Sequence, residues 1–335
     1  MLGALALVAL SGCASGASAG GGETGGKIQI AYLPLAQANP YTQSTYEGIK
    51  EYAAAHNAEV TVFDASLDGA KQQQQCTDVV SNGQYQAIIA IPVTPTNLMT
   101  CASDAVAAGI AFVNTDFPVG ADASLGKPQV KGQVASVLDP STDRGDWIFT
   151  LLDGACADLD PCEVGLINGT NADPYGTAVQ ASLQGKAKAS GSIQIVQVEE
   201  GGYLAGPSLT VAADILQAHP GLDVIVTTSD QMTTGAEQAV ADAGRTGEVK
   251  LIGGGYSDVA TAAIKSGRWY GTYLSLPRDE GSLGAKYALD FLTSNGDSAK
   301  TGIGVSASVL SGYPTVITAE NIAKFDNFAA QWSGS

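Results

Sequence analysis

Six short segments hold the side chains best suited to gripping a small molecule: Ala38-Asn39-Pro40-Tyr41, Pro92-Val93-Thr94-Pro95, Asn114-Thr115-Asp116-Phe117, Gly169-Thr170-Asn171, Ser229-Asp230-Gln231 and Gly255-Tyr256. Their amides, hydroxyls and carboxylates can hydrogen-bond a polar ligand, each bond contributing about 1 kcal/mol net, while aromatic faces cover C–H surface. Almost no cation stands among them. A carboxylate or phosphate would require paired Arg or amides backed by a cation, since a buried anion without such partners costs several kcal/mol.

Sequence signals for covalent chemistry fail on context. Gly16-Ala17-Ser18-Ala19-Gly20 matches G-x-S-x-G and residues 20–25 match G-x-G-x-x-G, but both fall in a Gly/Ser/Ala stretch and not at a strand–turn–helix. The two histidines, His56 and His219, read as helix ends and have no nucleophile at useful spacing. Asp153, Asp158 and Asp160 depart from the D-x-D-x-D-G calcium spacing and read as a solvated loop. Neither catalysis, a cofactor nor a metal is expected.

The elements that position the six segments follow from hydrophobic pattern. Runs rich in β-branched residues, KIQIAYL from Lys27, EVTVF from Glu59, AIIAI from Ala87, IAFVN from Ile110, EVGLIN from Glu163, IQIVQV from Ile193, DVIVT from Asp223 and VKLIG from Val249, read as strands. Ala-rich stretches of helical period separate them, including Tyr41 to His56, Thr96 to Ala108, Leu209 to Ala218 and Gly235 to Ala243. Strands apolar throughout and alternating with helices predict α/β architecture, with two doubly wound parallel-sheet lobes in 335 residues. Such sheets bind ligands beyond the carboxyl ends of their strands, where the six segments lie.

The N-terminus reads differently. Met1 to Leu10 is too short to cross a bilayer, and Leu10-Ser11-Gly12-Cys13 resembles a bacterial lipobox whose cysteine is lipidated; residues 14–26 then form a flexible tether. No Lys or Arg precedes the apolar run, so the true start is expected upstream. Export makes disulfides the default for Cys76, Cys101, Cys156 and Cys162. Of three connectivities, proximity favours Cys76–Cys101 and Cys156–Cys162. With 16 Lys+Arg against 33 Asp+Glu, the net charge of −17 argues against nucleic acid and leaves the lipid as the sole membrane attachment.

The order of motifs resembles the type I periplasmic solute-binding proteins of ABC transporters, most closely the ribose-binding-like branch. KIQIAYLPLAQANPYTQSTYEGIKEYA is similar to that family's opening, and AIIAIPVTPTNLMTCASDAVAAGIAFVNTDF to its third strand, helix and fourth strand. LQAHPGLDVIVTTSDQMTTGAEQAVADAG, LIGGGYSDVATAAIKSGRWYGTYLSLPRDEGSLGAKYAL and SGYPTVITAENIAKF continue the resemblance through residue 325. It departs at four places: Gly255 where an Asp is common, Ser275 where Gln or Asn precedes Leu-Pro, Phe117 where an Arg often follows Asp116, and the lack of Lys or Arg between Gly169 and Gln184.

The resemblance implies a three-crossing hinge, with a lipoprotein signal and tether at 1–26, a first lobe at 27–134 plus 276–295 and a second at 135–275 plus 296–335. It implies a monomer, extracytoplasmic and lipid-anchored, that closes on a sugar or polyol and hands it to an ABC permease; the same fold also serves as a sensor for a membrane receptor or kinase. Expected ligand contacts are Asn39, Tyr41, Asp116 and Phe117 in the first lobe, Asn171, Tyr175, Tyr203 and Ser229 in the second, and Ser275 at the hinge. Gly255 and Ser275 read as leaving room for a ligand larger or less polar than a free pentose. Asp230 reads as a helix N-cap, and Trp147, Trp269 and Trp332 as packing residues.

Overall fold

The computed structural model describes residues 26–170, 174–294, 302–305 and 309–335. Cys13, the tether up to residue 25, and Asn171 lie outside them.

Two six-stranded sheets make up the fold. The first is ordered β11-β5-β4-β3-β1-β2, from β1 (Ile28–Leu33), β2 (Ala58–Val62), β3 (Ala87–Ala90), β4 (Ala111–Thr115), β5 (Ala135–Val137) and β11 (Gly302–Ile303), all parallel. The second is ordered β12-β10-β9-β8-β6-β7, from β6 (Cys162–Asn168), β7 (Ile193–Glu200), β8 (Val224–Thr227), β9 (Lys250–Gly255), β10 (Gly271–Leu274) and β12 (Val316–Thr318). Only β12 runs antiparallel among the described pairings. Central strands such as β3, β4, β8 and β10 are buried at every residue, whereas the edge strands β2 and β7 are partly or fully exposed at every residue but the first. Helices on both faces produce this difference, because only a strand with neighbours on both sides and cover above and below must be apolar throughout.

Each sheet reverses its winding once, at β1/β3 and at β6/β8, and a crevice opens at such a switch point. The helices that reach the crevice are α1 (Pro40–Ala55), α4 (Ser141–Ala155), α5 (Pro174–Ser190) and α7 (Asp230–Asp242); α9 (Pro277–Thr293) packs on α1, α6 (Ala205–Ala218) on α7, and α8 (Asp258–Lys265) beside β10, while α2 (Gly69–Asn82) and α3 (Met99–Ala107) cover the other face of the first sheet. The contact of α1 with α9 depends on glycine. A Cβ at Gly48 would lie 1.9 Å from the Arg278 carbonyl oxygen and one at Gly281 2.0 Å from that of Thr45, so the two backbones touch. This contact sets Tyr41, at the start of α1, against Glu280, at the start of α9.

The chain passes between sheets after β5, after β10 and after β11. Residues 135–137 and 302–303 sit in the first sheet, although the sequence reading gave them to the second lobe; β5 is too short, and β11 too far along the chain, for apolar pattern to assign them.

Cys76 bonds to Cys101, tying α2 to α3, and Cys156 to Cys162, tying the end of α4 to β6. The sequence separations are 25 and 6, so chain entropy alone predicts losses of about 3.5 and about 2 kcal/mol for the double alanine variants. Urea unfolding should rank the two variants in that order, and a larger loss from the shorter loop would contradict the entropic account.

Candidate ligand-binding site

A cavity lies between the two sheets at the carboxyl ends of their strands. After β1 come Leu35 and Asn39, with Tyr41 and Thr42 on α1. Asp116 and Phe117 follow β4, and Arg144 rises from α4. The second sheet contributes Tyr175, Tyr203, Thr228, Ser229, Gln231, Gly254, Tyr273 and Ser275, and Trp332 enters from the C-terminal tail. Eight of the nine expected contacts therefore converge here; the ninth, Asn171, is outside the described residues.

Local structure dictates how each is presented. Asn39 is the N-cap of α1, its Oδ1 accepting from the Tyr41 amide at 2.8 Å, so part of its hydrogen-bonding capacity is committed to the helix. The Tyr41 hydroxyl donates to Glu280 Oε1 at 2.9 Å. Asp116 and Tyr203 both adopt positive φ, 59° and 56°, a cost in conformational energy that functional loops commonly carry. The Asp116 amide donates to the Val137 carbonyl at 3.1 Å and Asn114 Nδ2 donates to the Phe117 carbonyl at 2.7 Å, which fixes the turn. Phe117 packs between Tyr175 and Tyr203, with ring centroids 5.1 and 6.3 Å away.

Arg144 is the residue that the sequence reading missed. Its Nη2 donates to Asp116 Oδ1 at 2.8 Å, both side chains being 8% exposed, and its guanidinium lies 5.3 Å from the centre of the Tyr175 ring and 6.0 Å from that of Tyr273. It lies on a helix, away from the strand-end loops. A signal existed: Arg144, Ile148, Leu151 and Ala155 recur at helical spacing, so the cation sits in register with the buried stripe of α4 and needs a buried partner. Tyr273 was missed because Gly271-Thr272-Tyr273-Leu274 lacks the continuous apolar run that marks the equally short β3 and β8.

Two further expectations are corrected. Ser229, not Asp230, is the N-cap of α7; Asp230 is its first helical residue, fully buried, accepting from the Ser257 amide and the Thr272 hydroxyl, each at 2.8 Å. Trp332 is not a remote packing residue. Its indole fills the space beside Gly255, where a Cβ would fall 2.2 Å from Cζ2, so the room expected there is taken.

Burial pushes the Asp230 carboxyl from 3.8 up to about 6, against the hydrogen bonds it accepts. Between those values the folded chain keeps a proton that the unfolded chain has released, so stability falls as pH rises from about 4 to about 6. The loss, about 3 kcal/mol, is complete at neutral pH. Asp230→Asn is expected to remove this slope, as denaturant unfolding at several pH values would show; parallel curves for the two proteins would refute it.

Electrically the cavity is balanced: among the described lining residues, Arg144 is the sole cation and Asp116 the sole carboxylate. Burial, followed by the Asp116 charge, holds Glu280 well above the usual carboxylate range. Arg144 Nε and Gln231 Oε1 are buried without a protein partner, one a donor and the other an acceptor. A hydroxyl group can serve both.

The model of the periplasmic binding protein domain matches residues 30–296. The chain belongs to that family. It is 27% identical over 253 residues to the D-allose-binding periplasmic protein of Escherichia coli, covering 75% of this chain and 80% of that one. It is 26% identical over 297 residues to the D-ribose/D-allose-binding protein of Pseudomonas aeruginosa, covering 86% and 90%. In fold it is similar to an ABC transporter periplasmic solute-binding protein from Actinobacillus succinogenes with bound D-allose, at a TM-score of 0.76 and 21% identity, covering 89% of this chain and 100% of that one.

Proposed function

We propose that this member of the periplasmic binding protein family is an extracytoplasmic lipoprotein that captures a small neutral hydroxylated solute, a sugar or polyol, between its lobes and delivers it to an ABC permease. It is a binding protein and not an enzyme. The observation that carries the reading is the aromatic-walled, charge-balanced cavity with one buried donor and one buried acceptor left for a ligand. Asp116 and Arg144 would together address adjacent hydroxyls, and Phe117, Tyr175 and Tyr203 would cover C–H surface. The named binding of D-ribose and D-allose by relatives supports the same class. Nothing in the cavity favours the sensing role over delivery.

The experiment is uptake of labelled sugars and polyols by cells lacking the gene. Uptake of the cognate solute should be lost and return with the wild-type gene but not with Asp116→Ala. Undiminished uptake of every solute would defeat the delivery role. Lipid anchoring through Cys13 is tested separately: Cys13→Ser should move the exported protein from the membrane to the soluble fraction, and persistence at the membrane would exclude a lipid attachment there.

A further inference from the structure

The last eight residues lie beyond the family match, yet they touch both lobes and the cavity. The tail leaves the second lobe at Phe328, whose carbonyl accepts from the Tyr256 hydroxyl at 3.0 Å. Gln331 then meets the first lobe. Its carbonyl accepts from Ser44 Oγ on α1 at 2.6 Å, its Oε1 accepts from the amides of Arg278 and Asp279 at 2.9 and 3.2 Å, and its Nε2 donates to the Asp279 carboxylate. One residue later the chain is back on the second lobe: the carbonyls of Trp332 and Ser333 accept from the first amides of α8, Asp258 at 3.0 Å and Val259 at 3.2 Å. The helix termini thereby gain partners for donors that no residue within the helix can satisfy.

The indole is anchored too. Trp332 Nε1 donates to the Gly255 carbonyl at 2.8 Å, and the ring meets Tyr41 edge-on at 5.5 Å, across the cleft. Gly255 has a φ of 130°, and any Cβ there would strike the indole, so the seated tryptophan requires glycine at 255. Since Nε1 is already engaged, Trp332 offers the cavity carbon surface. The Tyr41, Tyr175 and Tyr273 hydroxyls also donate to protein groups, and the cavity's one charged pair is Asp116 with Arg144.

We propose that the C-terminal tail is a working part of the ligand site: Gln331 ties the lobes together and Trp332 forms the apolar wall that sets ligand size. The proposal rests on the hydroxylated-solute reading and narrows it to a compact ligand with hydroxyls toward Asp116 and Arg144 and a C–H edge toward the indole. Truncating the indole opens the site to an added substituent on that edge.

The test uses full-length wild type, Trp332→Ala, Trp332→Phe and Gln331→Ala. Calorimetry with D-ribose, D-allose, xylitol and the methyl glycosides of the two sugars reads the wall. Trp332→Ala should weaken the best wild-type probe by about tenfold or more and shift preference toward a methyl glycoside by a similar factor, with Trp332→Phe between them. An unchanged ranking and unchanged affinities in both variants would overturn the proposal. Amide hydrogen exchange without ligand reads the tie. The Arg278 and Asp279 amides should exchange faster in Gln331→Ala, and unaltered protection would overturn it. Failure of wild type to bind any probe would instead defeat the sugar reading, and the exchange result would still decide whether the tail links the lobes.

Discussion

Arg144→Met is expected to abolish ligand binding and to lower stability by about 3–5 kcal/mol, because it leaves the Asp116 carboxylate buried without its partner. An exposed ion pair would cost far less, roughly 0–1 kcal/mol, so the size of the loss reports the burial of this one. Asp116→Asn in the same protein should restore much of the stability, since the uncompensated charge is gone, while binding stays lost. The two changes are therefore expected to be strongly non-additive. Urea unfolding of the wild type, both single variants and the double variant measures this. Additive losses, or a single-variant loss under about 1 kcal/mol, would mean that the pair is solvated and that the cavity is not the closed, balanced site described.

Phe117→Ala is expected to reduce ligand affinity by one to two orders of magnitude and stability by about 3 kcal/mol. The ring is almost fully buried and lies against Tyr175 and Tyr203 of the opposite lobe, so its loss removes ligand surface and an inter-lobe contact together. Its carbonyl is held by Asn114 Nδ2 independently of the side chain, which should keep the Asp116 turn in place. Titration calorimetry with the best-binding sugar or polyol decides the point. An affinity within threefold of wild type would remove Phe117 from the site.

The fold was legible where burial is two-sided. All eight strands expected from β-branched runs are present within two residues of their expected ends; the central ones are apolar at each position because they are covered on both faces, and the edge strands β2 and β7 keep enough β-branched residues to be read. β5, β11 and β12 were not, being two or three residues long and held in place by neighbours remote in sequence, and neither was β10, whose Gly271-Thr272-Tyr273-Leu274 is no continuous apolar run. The site was legible through its loops, since Asp116, Phe117, Tyr203 and Ser229 each follow a readable strand. Arg144 and Trp332 follow different rules. One projects from a helix and is found only by asking what a cation does on an apolar stripe. The other arrives by the return of the tail across both lobes, and no local pattern in Gln331-Trp332-Ser333 foretells that path. Asp230 shows a subtler limit: an Asp beside Ser at a helix start invites the capping reading, while the structure puts Ser229 at the cap and spends the Asp230 carboxylate on α8 and β10.

The central claim is that the cavity takes a neutral polyhydroxylated molecule. A thermal-shift screen of the purified protein against sugars, polyols, amino acids, nucleosides and dicarboxylates tests it most directly. A ligand present at 100 times its dissociation constant adds about 2.7 kcal/mol of stability. The account predicts a saturable upward shift of several degrees with one or more neutral sugars or polyols, none with dicarboxylates, and none with any of these solutes in Arg144→Met. Stabilisation by acidic solutes alone would contradict it.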